Sequence, residues 1–368
     1  MKVCHLTSVH NYNDTRITVK ECSTLVRQGY EVHLVVPNTS IKKYKGVNIQ
    51  GVKNVNKGRI NRITKFTKKV FEKAKEIDAD IYHFHDPELI PLALKLKKLG
   101  KKVIYDIHED VPRQILSKEW IPNLLRKIIS KSFEIYENRS ARKFDYLVTS
   151  TPFINERFKN KGIETTVDVN NYPILDELFI PNLKWHTKSK SVCYVGGLSK
   201  TRGIFEMIDS VYHSNALLNI AGNFQNENLK KEVESKRGWN YVNYLGYVDR
   251  EEVKKILANS MAGFVVLHPL INYIDAHPIK MFEYMGAGLP VIASNFPLWK
   301  SILEENNAGI CVNPTNIKEI SHALEWFINN PKQAKLMGEN GRRAVEDKYN
   351  WELESEKLIK VYQKLDPT

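Results

Sequence analysis

Short β-branched runs alternate with amphipathic segments from one end of the chain to the other. In the first half the runs read KVCHLTS, EVHLVVP, IYHFHD, KVIYDIHE and YLVTST. Between them, Arg16–Gln28 and Pro87–Leu99 space their apolar residues for helices. Gly29 and Gly100 follow directly, where a glycine commonly closes the last turn. Strand, helix and strand in this rhythm predict parallel strands in an open α/β sheet. The rhythm breaks around 171–190, a stretch with two prolines and a polar end that reads as a linker. It restarts with SVCYVGGLS, LLNIAGN, VNYLGYV, AGFVVLH, PVIAS and AGICVNP. Two doubly wound domains are expected, over 1–180 and 181–349. Ligands of such sheets bind beyond the carboxyl ends of the strands, so functional residues should gather there.

At 368 residues the chain exceeds what one hydrophobic core usually supports, which agrees with two domains. The four cysteines (Cys4, Cys22, Cys193 and Cys311) have neither paired nor metal-ligand spacing, so no disulfide framework or zinc site is supported. Met1 leads straight into a strand, which argues against a signal peptide. The longest apolar stretch, Ile256–Ile274, is interrupted by Asn259, Ser260, His268 and Pro269 and does not read as a membrane span. A cytoplasmic protein is expected. Its 55 basic against 42 acidic residues give +13, a balance that suggests an anionic partner.

Two motifs carry chemistry. In YVGGLSKTRGIFEMIDSV a strand ends at Val195, Gly196 and Gly197 turn, and a helix opens near Gly203 just after Arg202. Unpaired N–H groups at a helix start and a nearby guanidinium suit a diphosphate, although an ordinary strand–turn–helix junction has the same pattern. In DAHPIKMFEYMGAGLPVIAS, Pro278 suits a first helical position, which leaves the N–H groups of Ile279 and Lys280 pointing out of the helix end. Those donors and the Lys280 ammonium can hold a distal phosphate. Further along the helix, the Glu283 carboxylate can accept both hydroxyls of a ribose. Asp275 lies in the loop before the helix, where it can reach a transferred sugar.

Asp275–x7–Glu283 followed by YMGAGLPVIAS resembles the E-x7-E segment of the retaining glycosyltransferase family 4, whose members have the GT-B fold: two Rossmann-like domains with parallel sheets facing a central cleft. The resemblance runs over nearly the whole chain. YVGGLSKTRG is similar to the family's phosphate turn, VNYLGYVDREEVKKILANSMAGFVVLHP to its base-binding strand, helix and strand, and YNWELESEKLIKVY to a terminal helix (350–368) that crosses back to the first domain. DTRITVKECSTLVRQGYEVHLVV, HFHDPELIPLALKLKK and VIYDIHE resemble a branch that builds bacterial surface polysaccharides.

The resemblance implies transfer of a sugar from a nucleoside diphosphate donor with retention at the anomeric carbon and with no metal or other cofactor. Cations and helix dipoles would stabilise the departing diphosphate. It assigns His108 to the sugar and transition state. Glu109, beside it, can orient or deprotonate an acceptor hydroxyl, or cap a helix. Asp14 and Arg16 occupy the loop after the first strand, where the family approaches the donor; Arg16 either contacts phosphate or acceptor or is a helix-start charge. Tyr247 and Val248 would read the base, with uracil the first expectation. Two departures stand out: Asp275 is shorter than the family's Glu, and Gly197 stands where the family has Arg. Arg202 takes the place of the family's Lys, and Lys280 is the candidate to supply the missing charge. His83 and His85 alternate on one strand face with Asp86 beside them, either as outward polar groups or as metal ligands.

Two basic segments could rest on an anionic bilayer, or simply pack on the sheet. One places Ile60, Ile63, Phe66, Val70 and Phe71 at helical spacing among Lys and Arg, and packing is favoured for it. The other, Trp120–Ile129, places Trp120, Ile121, Leu124, Leu125, Ile128 and Ile129 likewise, and membrane contact is favoured. A lipid-linked or saccharide acceptor is the expected second substrate. The charge also invites nucleic-acid binding, but there is no RNP-like motif, zinc spacing or basic recognition helix. A sugar-nucleotide epimerase of the same fold remains an alternative. No GxGxxG follows the first strand, which disfavours a dinucleotide oxidoreductase.

Overall fold

The computed structural model describes residues 1–54, 58, 61–118, 120–181, 185 and 188–366. The chain divides into two compact units, Met1–Asn171 with Leu353–Thr368, and Tyr172–Glu352.

The first unit holds eight strands: β1 Lys2–Leu6, β2 Glu31–Pro37, β3 Lys43–Tyr44, β4 Val47–Val52, β5 Ile81–Phe84, β6 Lys102–Ile107, β7 Tyr146–Thr149 and β8 Thr166–Asp168. They lie in the order β3-β4-β2-β1-β5-β6-β7-β8, parallel except for the β3–β4 hairpin. That hairpin and β8 escape the sequence reading. Its turn, Lys45–Gly46, puts both residues at positive φ, the geometry of a two-residue hairpin loop.

In the centre of this sheet the period of two separates the faces. Cys4, Leu6, Tyr82, Phe84, Tyr105 and Ile107 join one apolar cluster with Val70 and Ala74 of the helix Thr67–Ile77, and with Ala93 and Leu96 of the helix Ile90–Lys98. The intervening positions of β1, β5 and β6 are His5, His83 and Asp106, all fully buried. His5 and His83 are register partners. A polar core on one face of a parallel sheet is the feature that most shapes this unit.

The second unit holds β9 Ser191–Val195, β10 Leu217–Ala221, β11 Val242–Tyr244, β12 Ala262–Val265, β13 Val291–Ser294 and β14 Gly309–Val312, all parallel in the order β11-β10-β9-β12-β13-β14. Apolar clusters cover both faces. Cys193, Val265, Val291 and Ala293 pack with the helices Arg250–Asn259, Ile279–Gly286 and Pro297–Glu305. Val192, Leu218, Ile220 and Phe264 pack with Ile204–Ser214 and Ile317–Asn329.

The sequence reading sets the domain break at 180/181, whereas the units part at 171/172. The difference lies in segment 172–180. Tyr172 packs edge-on against Phe282 and Tyr349, Leu178 is buried in the second unit's core, and the Pro173 carbonyl accepts a hydrogen bond from Trp351 N–H at 2.8 Å. These residues read as linker because prolines interrupt them; they are a strap on the second unit.

Candidate active site

In the second unit three neighbouring strands are followed by glycines whose backbone hydrogen bonds tie the strand ends together. Gly196 N–H donates to the Ala221 carbonyl at 2.8 Å, and Gly222 N–H to the Gly246 carbonyl at 2.7 Å. A Cβ at Gly196 would stand 3.2 Å from Lys280 Nζ, and one at Gly197 would stand 3.0 Å from Arg202 Nη1. The two cations therefore bracket the turn. Gly203 sits at φ +74, and a Cβ there would meet the Val266 carbonyl oxygen at 2.2 Å, so only glycine lets this backbone lie against β12. Arg202 donates to the Gly197 carbonyl at 3.3 Å, and the Tyr194 hydroxyl donates to the same oxygen at 3.0 Å. Lys280 Nζ lies 5.0 Å from the Tyr194 ring centroid. Among the described residues, neither Arg202 nor Lys280 has a carboxylate partner.

The helix Ile279–Gly286 is aimed at the same turn. The Tyr284 hydroxyl accepts from Val195 N–H at 2.9 Å, which ties this helix to the end of β9. Pro278 takes the capping position, one residue before the place expected for it. Met281 N–H donates to the Pro278 carbonyl at 2.9 Å, while the N–H groups of Ile279 and Lys280 have no partner among the described residues. A turn further on, Glu283 is buried and accepts from Arg250 Nη1 at 2.9 Å through one oxygen. Arg250 also pairs with Glu177 of the strap. It begins the helix after the loop of Tyr247 and Val248, so Glu283 and that loop are neighbours. Tyr247 is 79% exposed, and Val248 packs onto the core. Asp275 ends the short helix Ile271–Ile274, two residues before His277, whose ring stacks on Tyr172.

In the first unit, His108 Nε2 lies 2.8 Å from Asp106 Oδ2, and its side chain keeps 17% of its surface. Glu109 is exposed, with Gln114 donating to it. Asp14 caps the first helix by accepting from Ile17 N–H at 2.9 Å and lies 2.9 Å from His10 Nδ1. Arg16 is only 5% exposed, and its guanidinium forks onto Asp106 at 2.8 and 3.1 Å while donating to the Val169 carbonyl at 2.8 Å.

Two family models divide this chain. Glycosyltransferase Family 4 matches residues 15–169, and Glycosyl transferases group 1 matches 176–344. It is a family 4 glycosyltransferase. A D-rhamnosyltransferase, WbpZ of Pseudomonas aeruginosa, is 24% identical over 282 residues, covering 75% of this chain and 72% of that protein. Among solved structures, the sucrose-phosphate synthase of Thermosynechococcus elongatus superposes with a TM-score of 0.79 at 15% identity, covering 100% of this chain and 99% of that one. Anabaena HepE in complex with UDP-glucose gives 0.76 at 14% identity, covering 100% of both chains. These likenesses establish the GT-B fold.

Within this glycosyltransferase the residues expected at the donor fall into two groups. Gly197, Arg202, Gly203, Ile279, Lys280, Glu283, Tyr247 and Val248 assemble along the carboxyl edge of one sheet. His108, Glu109, Asp14 and Arg16 belong to the other unit. The substitution at Gly197 acquires a physical reading: the Arg202 guanidinium fills the space a side chain there would take.

Three expectations are corrected. Arg16 offers no guanidinium to phosphate or acceptor, because it is buried and spent on Asp106 and Val169. His83 and His85 are not outward polar groups: both are buried, and their rings stack at 4.8 Å. Asp86 does not join them; it accepts from the Thr7 hydroxyl at 2.7 Å and Ser8 N–H at 2.6 Å. The polar set that forms instead is Glu21, His83, His85 and Asp106, with ligand-type atoms within 4.8 Å of one another. It fits a metal poorly, because the Arg16 guanidinium already lies 2.8 Å from Asp106 and 3.1 Å from Glu21 as the counter-cation. Burial and the charge of Asp106 push the Glu21 carboxyl well above its usual range, which favours its protonated form.

Sequence reading missed Asp106, His5, Glu21, Arg250 and Tyr362. The one signal for the strand residues was parity: His5, His83 and Asp106 alternate with apolar neighbours.

The two basic segments differ in burial. Phe66 and Val70 are buried against the sheet, Ile63 is exposed, and Ile60 lies outside the described residues. In the other segment Trp120 is 74% exposed, and Leu124, Leu125, Ile128 and Ile129 are also exposed, on the helix Asn123–Ala141. Among the described residues no helix is long and apolar enough to cross a membrane.

Proposed function

We propose that the protein transfers a sugar, with retention and without a metal or other cofactor, from a UDP-sugar to a lipid-linked or saccharide acceptor in surface-polysaccharide synthesis. The observation that carries the donor half is the pair of carboxylate-free cations, Arg202 and Lys280, over the glycine turn at the end of β9. A diphosphate set there meets two positive charges and the open N–H groups of Ile279 and Lys280, which stabilise charge as the nucleotide departs. Glu283, steadied by Arg250 on one oxygen, keeps the other for ribose hydroxyls. Uracil is supported by the UDP-glucose complex of the HepE neighbour. Retention and the role of Asp275 rest on the Asp275–x7–Glu283 resemblance. His108 contacts the sugar, and Glu109, the exposed carboxylate beside it, serves the acceptor hydroxyl.

A lipid-linked acceptor at the cytoplasmic face of the cell membrane is supported by the exposed Leu124, Leu125, Ile128 and Ile129, interleaved with Lys127 and Lys131. Cosedimentation with phosphatidylglycerol vesicles tests it; binding that survives a double substitution of Leu124 and Ile128 by Asp would refute it.

The decisive experiment is a thermal-shift series with UDP, GDP, ADP and CMP, with and without EDTA. UDP at a hundred times its dissociation constant should add about 2.7 kcal/mol of stability. The shift should survive EDTA and vanish in Glu283→Ala. A folded protein that no nucleotide stabilises would sink the reading.

A further inference from the structure

Behind His108 runs a chain of buried polar groups that has one consistent direction. Asp106 Oδ2 lies 2.8 Å from His108 Nε2 and 3.1 Å from His85 Nδ1. His85 Nε2 lies 2.9 Å from His5 Nδ1, and His5 Nε2 lies 3.2 Å from the Tyr362 hydroxyl. That hydroxyl lies 2.8 Å from His83 Nδ1. Tyr362 comes from the helix Trp351–Leu365, in the part that belongs to the first unit.

His85 Nδ1 and His108 Nε2 are also 3.1 Å apart, but both face Asp106 Oδ2, and that carboxylate settles the proton bookkeeping along the chain. Burial opposes a charge on Asp106, but the Arg16 guanidinium and the hydrogen bonds from His108 and His85 outweigh it and keep the carboxyl ionised, so it can only accept. Burial also holds His5, His83 and His85 well below the usual histidine range, so each is neutral with a single N–H. His85 must then donate from Nδ1 to Asp106 and accept at Nε2 from His5 Nδ1–H. His5 Nε2 accepts from the Tyr362 O–H, whose oxygen accepts from His83 Nδ1–H. The chain should end on a ring nitrogen with a lone pair and no donor. His83 Nε2 is that atom: it is buried, with no hydrogen-bond partner.

At the outer end the ionised Asp106 takes a hydrogen from His108 Nε2. We infer that Asp106 is a positioning residue that holds His108 in its Nε2–H form, so that the ring offers an unprotonated Nδ1 and recognises a ligand group with a hydrogen to give, a sugar hydroxyl. The ring keeps partial exposure, and its Nδ1 engages no group among the described residues. A carboxylate or ether oxygen in the same place would face a lone pair, so neutral hydroxylated sugars are favoured there over uronic acids. This rests on the reading of His108 as the sugar contact.

Nitrogen-15 spectra of the histidine-labelled full chain at neutral pH test the assignment without any substrate. The expected result is one His108 form, protonated at Nε2 and unprotonated at Nδ1. A protonated Nδ1, or an even mixture of the two forms, would overturn it; this wild-type spectrum decides by itself if the variant does not fold. In a folded Asp106→Asn variant the Nε2–H preference should weaken and glycosyl transfer should fall about 10- to 100-fold, the loss seen when a metal-bound histidine loses its orienting carboxylate. Transfer lost with the His108 form unchanged would refute the positioning role. A wild-type His108 in the expected form with no transfer from any nucleotide sugar would count against the proposed function, not against the assignment.

Discussion

Each unit sets an arginine shortly after its first strand, and the two have opposite fates. Arg16, after β1, is buried, with its charge met by Asp106 and shared with Glu21. Arg202, after β9, leans on a glycine carbonyl and has no carboxylate partner among the described residues. An arginine whose charge is neutralised inside the fold organises the fold. One left uncompensated beside open N–H groups is available to an anion. Position after the first strand does not separate these roles; the residues opposite do.

The comparison breaks most visibly at Arg16. Arg16→Leu leaves Asp106 buried without its counter-charge and should cost about 3–5 kcal/mol of stability, read by urea unfolding. Nucleotide affinity should be retained in whatever fraction folds. A loss of nucleotide affinity with stability intact would restore Arg16 to the donor site.

Arg202→Ala should behave in reverse. Removing one cation from a site of developing charge costs about 10²–10³ in kcat, near 3–4 kcal/mol, while a half-buried side chain without a buried partner should shift stability by about 0.5 kcal/mol or less. Steady-state transfer rates beside a melting curve separate the two effects. A melting curve that collapses with the rate would make Arg202 another structural arginine.

This contrast also explains what could be read from one sequence. The glycine turn, Arg202, Gly203, Ile279, Lys280 and Glu283 were legible because their signals are local: a β-branched run, a glycine pair, a proline at a helix start. The alternation of strands and helices made both sheets legible for the same reason. The β3–β4 hairpin was not, because β3 is only two residues long and the alternation of Val47, Asn48, Ile49 and Gln50 stops at Gly51. The polar core of the first unit was hidden by distance along the chain. Arg16 and Asp106 are 90 residues apart, and His5 and Tyr362 are 357 apart. No spacing rule joins such residues, so Arg16 reads as a helix-start charge and His83 and His85 as strand-end ligands until the sheet brings β1, β5 and β6 together.

The smallest effect lies at Asp14, on the border between the two kinds of site. Burial pulls the His10 imidazole down, but Asp14, Asp86 and Asp106 outweigh it and raise it above its ordinary value. Burial alone would raise Asp14, yet the hydrogen bonds from His10 and Ile17 N–H, with the charge of His10, hold it well below the usual carboxylate range. A raised histidine stabilises fully below its unfolded value and loses that contribution as pH rises through the folded one. A depressed carboxyl stabilises above its unfolded value and loses that as pH falls. Both contributions are therefore complete between about pH 4 and about pH 6.5. Asp14→Asn preserves an oxygen for the Ile17 cap but removes the charge. It should cost about 0.5–1 kcal/mol near pH 5, in keeping with a pair that is partly exposed, and less near pH 9. Unfolding curves at the two pH values measure the difference. An equal cost at both would mean that Asp14 serves the first unit only as a helix cap.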